Sequence, residues 1–149
     1  MKRIICTVLI VLLILSLVAC SPREVISVEA FVSRMEDAGF EVFDMTEETQ
    51  GEVAAWKLAT GDQFEIEFYV FETDQQARQA YNQIKRHIED GAGNVRSHSE
   101  VNLANYGRFR MTSGGMFSVV SRIEHTLVFV NTDADNRDDV DAILERLGY

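Results

Sequence analysis

Arg108, Arg110 and Arg122 are the side chains in this 149-residue sequence whose placement most suggests a binding role. Arg108 and Arg110 alternate along one predicted strand, and Arg122 falls on the next, across the Gly114-Gly115 turn. The chain has only 14 Lys and Arg against 24 Asp and Glu, so three guanidinium groups in one hairpin are a concentration. A planar fork of donors suits a carboxylate or a phosphate. The spacing therefore predicts a sheet face that either takes an acidic ligand or partner, or closes cross-strand ion pairs with Glu65 and Glu67.

Other sets of reactive residues are weaker. Asp133-Ala134-Asp135-Asn136-Arg137-Asp138-Asp139 alternates carboxylates as a calcium loop does. The EF-hand spacing then fails, with Arg137 at its fifth position, Asp138 at the sixth and Leu144 at the twelfth. The run reads instead as the acidic start of a helix, with Asp135 or Asn136 as its cap. His87, His98 and His125 are scattered, and nothing near His98-Ser99-Glu100 completes the three or four ligands a zinc ion needs. Ser113-Gly114-Gly115 lacks the G-x-S-x-G elbow and reads as a turn. Glu65 and Glu67 lie about 7 Å apart on one strand face, a separation seen in inverting glycosidases but also in any strand with alternating glutamates. Trp56 and the aromatics from Phe64 to Phe71 read as sheet packing, and as an interaction patch if Trp56 and Tyr69 are exposed together. No residue set calls for a cofactor or a metal.

Composition narrows the class. A chain with 46% hydrophobic and 26% charged residues and one proline is a folded domain of ordinary size. Its net charge of −10 argues against nucleic acid as a partner.

The first twenty residues carry the most specific signal. Met1-Lys2-Arg3 is a positive start, and Ile4 to Ala19 is almost wholly apolar. As a helix that run spans roughly 24 Å, short of the ~30 Å hydrocarbon core, so it describes an export signal better than a membrane span. Leu17-Val18-Ala19-Cys20 at its end resembles the lipobox of bacterial lipoproteins. The resemblance covers residues 1–20 and implies recognition through Leu17, Val18 and Ala19, cleavage before Cys20, and a diacylglyceryl group on the Cys20 thiol. It further implies that residues 1–19 are removed and that the mature chain is anchored in the cell membrane, facing away from the cytoplasm. With Cys6 removed and Cys20 lipidated, no disulfide would remain. Residues 20–26 are expected as a short tether and residues 27–149 as a single domain.

Within that domain three stretches have helical spacing. Val28, Phe31, Val32 and Met35 follow Ser27 as cap and stop at Gly39. Thr73-x-x-Gln76 opens a second helix, carried by Ala77, Tyr81, Ile84 and Ile88 to Gly91. Val140, Ile143, Leu144 and Leu147 form a third, ending at Gly148. Strands are predicted over residues 40–45, 53–60, 63–71, 95–101, 106–112, 116–123 and 126–130, with Gly61-Asp62 as a hairpin turn. The order α-β-β-β-α-β-β-β-β-α implies an α+β fold with a mainly antiparallel sheet and helices on one face. The exits Gly39-Phe40 and Gly148-Tyr149 hint at a doubled module. The mature domain also loosely resembles small uncharacterised α+β lipoproteins, a likeness of overall pattern that implies no activity.

The functional expectation is a non-enzymatic binding or accessory lipoprotein that works through protein contacts near the membrane. The alternatives are a small-ligand or ion-binding module using Arg108, Arg110 and Arg122, and, less favoured, a hydrolase of envelope polymers.

Overall fold

The computed structural model describes residues 23–149. Helix α1 (Val28–Asp37) leads to β1 (Glu41–Asp44), a short 3-10 helix (Thr46–Thr49), β2 (Ala55–Thr60) and β3 (Glu65–Val70). Helix α2 (Asp74–Asp90) leads to β4 (Val95–Asn102), β5 (Tyr106–Ser113), β6 (Met116–Ile123) and β7 (Thr126–Asp133). A second 3-10 turn (Ala134–Asn136) opens α3 (Arg137–Leu147). The seven strands form one antiparallel sheet in the order β1-β2-β3-β7-β6-β5-β4. The α+β class and the element order are as the sequence predicts.

Local chemistry accounts for the element ends. The Ser27 hydroxyl accepts from the Ala30 amide at 3.2 Å, and the Thr73 hydroxyl accepts from the Gln76 amide at 3.2 Å. Both α1 and α3 end in the same cap. Gly39 and Gly148 adopt φ of 89° and 93°, and the next residue, Phe40 or Tyr149, returns its amide to the carbonyl of Met35 or Leu144. One cap differs from expectation. Asn136 does not cap α3 through its side chain; its amide instead donates to Thr132 Oγ1 at 2.9 Å and the Gln63 carbonyl at 3.3 Å. The intervening 3-10 turn moves the helix start to Arg137 and frees Asn136 to tie α3 to the sheet.

The expectation of helices on a single face needs correction in one respect, because the helices occupy both. Along each strand alternate side chains serve opposite faces. Helices α1 and α3 bury Phe31, Met35, Val140, Leu144 and Leu147 against Ile66, Phe68, Val119 and Val128. Helix α2 buries Ala77 and Tyr81 on the other face, against Phe109, Met111, Val120 and Leu127. The central strands β6 and β7 are therefore largely buried on both faces. Gly107 lets α2 approach, since a Cβ there would stand 3.3 Å from the Tyr81 ring.

Of the tether expected over residues 20–26, the described part, residues 23–26, makes contacts with the domain. Ile26 is buried and Val25 packs beside it on the core. The Arg23 guanidinium lies 4.1 Å from the Tyr106 ring centre and donates to the Gly148 carbonyl at 2.8 Å. Apolar side chains at Val25 and Ile26 draw this segment onto the domain. The lipobox residues Leu17, Val18, Ala19 and Cys20 lie outside the described residues.

Candidate functional site

Strands β1, β2 and β3 hold the site, on the sheet face that α2 shares. Helix α2 makes its sheet contacts with β5, β6 and β7. On the same face β1–β3 present Phe43, Trp56, Leu58 and Tyr69, with the half-buried Phe129 of β7 beside them. Phe43 is 42% exposed and the others are half-buried, so an apolar surface stands open where a helix could have lain.

Trp56 and Tyr69 are cross-strand partners whose rings stack with centres 5.5 Å apart and an interplanar angle of 16°. Phe71 continues the stack at 6.3 Å from Tyr69. These rings, with Val53 and with Ala80 and Ile84 of α2, line a groove of about 570 Å³. Glu48 and Glu52 stand at its lip. The Tyr69 hydroxyl donates to the Glu67 carboxylate. Burial, then that carboxylate, hold the phenol protonated far above its usual range. Trp56 Nε1 is buried without an acceptor.

The surroundings are strongly acidic. Between Glu41 and Val70 the chain has eight carboxylates and one basic residue, Lys57. Lys57 points to the opposite face, where it meets Asp44 at 2.5 Å. Glu41, Glu65 and Glu67 share the open face by strand alternation. An apolar, aromatic surface framed by unneutralised carboxylates is complementary to a partner that is both cationic and apolar. Alternation of Phe64 to Phe71 showed in the sequence, but the lack of a helix over one half of the sheet did not.

The three arginines do not share one face. Arg108 and Arg110 point to the face of α1 and α3, where Asp141 of α3 receives both, from Arg108 Nη2 at 2.6 Å and from Arg110 Nη1 at 3.1 Å. Arg137 Nε stands 3.9 Å from the same carboxylate. Arg122 is opposite Gly107, not opposite Arg108, so it points to the α2 face. There it is 2% exposed and donates to the Glu124 carbonyl at 3.1 Å. Burial lowers its pKa, the neighbouring Arg78 adds to that, and Asp74, Tyr81 and Glu124 oppose it. A register offset of one residue, which spacing alone does not reveal, separates the pair from the third. Glu65 and Glu67 lie on the face away from Arg108 and Arg110, so the ion pairs form with Asp141 instead.

The remaining sequence candidates are dispersed. His87 lies in α2, His98 in β4 and His125 in the β6–β7 turn, with His125 Nδ1 4.0 Å from Asp74. Ser113 ends β5 beside the Gly114-Gly115 turn, whose φ angles are 59° and 88°. Asp133 to Asp139 run through the 3-10 turn into the first turn of α3. Among the described residues no three His, Cys, Asp or Glu gather as a metal would require, and no helix is long and apolar enough to cross a membrane.

No family model matches the chain, and no curated protein matches it. Among solved structures it is similar to a protein described as a GTP binding regulator from Thermotoga maritima. The two share 18% identity over 82% of this chain and 87% of that one, with a TM-score of 0.49.

Proposed function

We propose that this chain is a membrane-anchored extracytoplasmic lipoprotein of non-enzymatic binding type, and that the open face of β1–β3 holds a cationic, apolar segment of another protein. The observation that carries this reading is the uncovered aromatic surface of Phe43, Trp56, Leu58 and Tyr69 with Glu41, Glu65 and Glu67 around it. The lipobox resemblance at residues 17–20 supports the anchor, and two acyl chains suffice for stable attachment. With residues 23–26 packed on the domain, only two residues separate them from Cys20, a reach of roughly 7 Å. Partners are then met at the membrane surface.

Trp56 is the sole tryptophan of the chain, so its fluorescence reports this face directly. Titrating the full chain in detergent with a lysine-rich amphipathic peptide should shift Trp56 emission, with affinity falling as salt is added. A Leu58→Glu variant should lose the response. Equal response to an acidic peptide of the same length, or none to either, overturns the binding face. Failure of Cys20→Ser to abolish acyl-chain incorporation in growing cells overturns the anchor.

A second reading has its own observation. Three guanidinium groups meet one carboxylate at Asp141, and Arg108 Nε is buried without an acceptor. Arg110, Arg137, Ser97, Ser99 and Thr112 line a cavity of about 160 Å³ beside them. This surplus of donors suits a small oxyanion. Inorganic phosphate should raise the melting temperature of the full chain and fail to do so with Arg110→Gln; equal shifts in both exclude it.

A further inference from the structure

Strand β4 is the last strand at one end of the sheet, and all eight of its residues are exposed. One edge of its backbone pairs with β5; the other has no strand beside it among the described residues. The described residues expose five large apolar side chains, and three of them, Val95 and Val101 at 47% and Leu103 at 59%, lie on β4 or just after it. An apolar open edge is a template for another strand.

The sequence of this edge specifies which strand fits. Asn94-Val95-Arg96-Ser97-His98-Ser99-Glu100-Val101-Asn102 reads the same in both directions, except that Arg96 mirrors Glu100. Adjacent antiparallel strands run in opposite senses, so a two-fold axis through His98 sets every residue opposite its mirror image. Asn94 meets Asn102, Val95 meets Val101, Ser97 meets Ser99, and His98 meets its own copy. Arg96 meets Glu100 twice, once on each side of the axis.

We propose that β4 pairs antiparallel with β4 of a second copy of this chain, in register about His98, joining the two sheets into one. The reading is independent of the lipid anchor and of the β1–β3 face.

Charges that protect an edge from self-pairing must repel when copies meet. Here the mirrored positions carry opposite signs, so the register that aligns the valines also aligns cation with anion. A partner of unrelated sequence would draw nothing from the mirror pattern, whereas a second copy is complementary to it. Glu100 already accepts from Lys85 at 2.5 Å through Oε2. Its Oε1 stands 3.5 Å from the Tyr81 hydroxyl, a long contact that leaves this oxygen able to take the arriving Arg96. A bulge interrupts the β4–β5 register between Val95 and Ser97. The stretch from Ser97 to Asn102 is regular and contains the axis with the Ser97–Ser99 pair. Arg96 sits in the bulge, and Val95, opposite Ser113, lies on the other face from Val101, opposite Arg108. The outer mirror pairs therefore require the bulge to straighten as the copies meet. Strand pairing of this length covers less than a standard interface, so the dimer is weak when dilute and gains from high local concentration.

Cysteine placed on the axis reads out the register. The full chain carrying His98→Cys, purified in detergent at high concentration and mildly oxidised, should form a covalent dimer well above the band given by the parent chain with its own Cys6 and Cys20. Val101→Cys alone should not, because its two copies lie roughly 20 Å apart along the strand. A mixture of Val95→Cys and Val101→Cys chains should cross-link. Arg96→Glu, at an exposed site, should cut the His98→Cys yield several-fold, and adding Glu100→Arg should restore it. No dimer at position 98, equal yields at 98 and 101, or indifference to Arg96→Glu would each overturn the proposal.

Discussion

Arg108 and Asp141, 33 residues apart in the sequence, meet at 2.6 Å between β5 and α3. The same carboxylate receives Arg110 at 3.1 Å through its other oxygen. One acidic side chain thus pins the last helix to the sheet by charge-assisted bonds, in a partly buried setting where such bonds are stronger than at an exposed surface.

Asp141→Asn should therefore cost more than a surface ion pair does. Removing the carboxylate leaves Arg108, already lacking an acceptor for Nε, with an uncompensated charge. A loss of about 2 kcal/mol is expected, between that of a surface pair and the ~3–5 kcal/mol of a fully buried one, because both partners keep some solvent contact. Urea unfolding measures it, and a loss below ~0.5 kcal/mol would mean solvent screens the cluster.

The core between sheet and helices should be sensitive to deletion at Phe68. Its ring stacks on Phe31 at 4.5 Å between centres, and both are fully buried. Phe68→Ala should destabilise the fold by about 3–5 kcal/mol. Leu103→Ala, on the open edge, should leave stability within about 0.5 kcal/mol of the parent.

Asp44 links stability to acid. Its bond to Lys57, then its bonds to the Thr46 hydroxyl and amide, hold its carboxyl well below the usual range in the fold. A depressed folded pKa gives stability that is present above the unfolded value of about 3.9 and is lost as pH falls below it. Asp44→Asn should then be less stable than the parent at neutral pH, with the gap narrowing as pH drops through 4. A gap independent of pH would show that Asp44 stabilises without its charge.

Three tyrosines link stability to base. Burial raises the pKa of Tyr69, Tyr81 and Tyr149; Glu67 adds to this at Tyr69 and Glu100 at Tyr81. A raised folded pKa gives stability that is complete below the unfolded value of about 10 and is lost as pH climbs toward the folded one. Phenolate absorbance of these residues should appear together with unfolding, not before it. Tyr149→Phe should make the alkaline transition shallower at a cost near neutrality of about 1 kcal/mol, since it gives up only the bond to Thr126.

Much of the architecture was legible because it is local. Ser27 and Thr73 as caps, the glycine exits at Gly39 and Gly148, and the Gly61-Asp62 turn each act over four or five residues. Period-two alternation in Glu65 to Val70 likewise reflects what a strand touches on its two faces. Of the candidate site, the aromatic strand and the arginine pair were visible as residues.

Their partners were not visible, since these depend on where a crossover lands. Whether α2 crosses above or below the sheet is settled by competition between packed surfaces distant in sequence, and that choice left β1–β3 open. The one-residue offset sending Arg122 away from Arg108, and the approach of Asp141 to both Arg108 and Arg110, follow from strand register and helix docking. Element identity, caps and the mirrored edge of β4 are thus properties of the amino-acid order. Which face each helix covers, and which charge meets which, arise only when the chain closes on itself, because those energies come from contacts made across the whole domain.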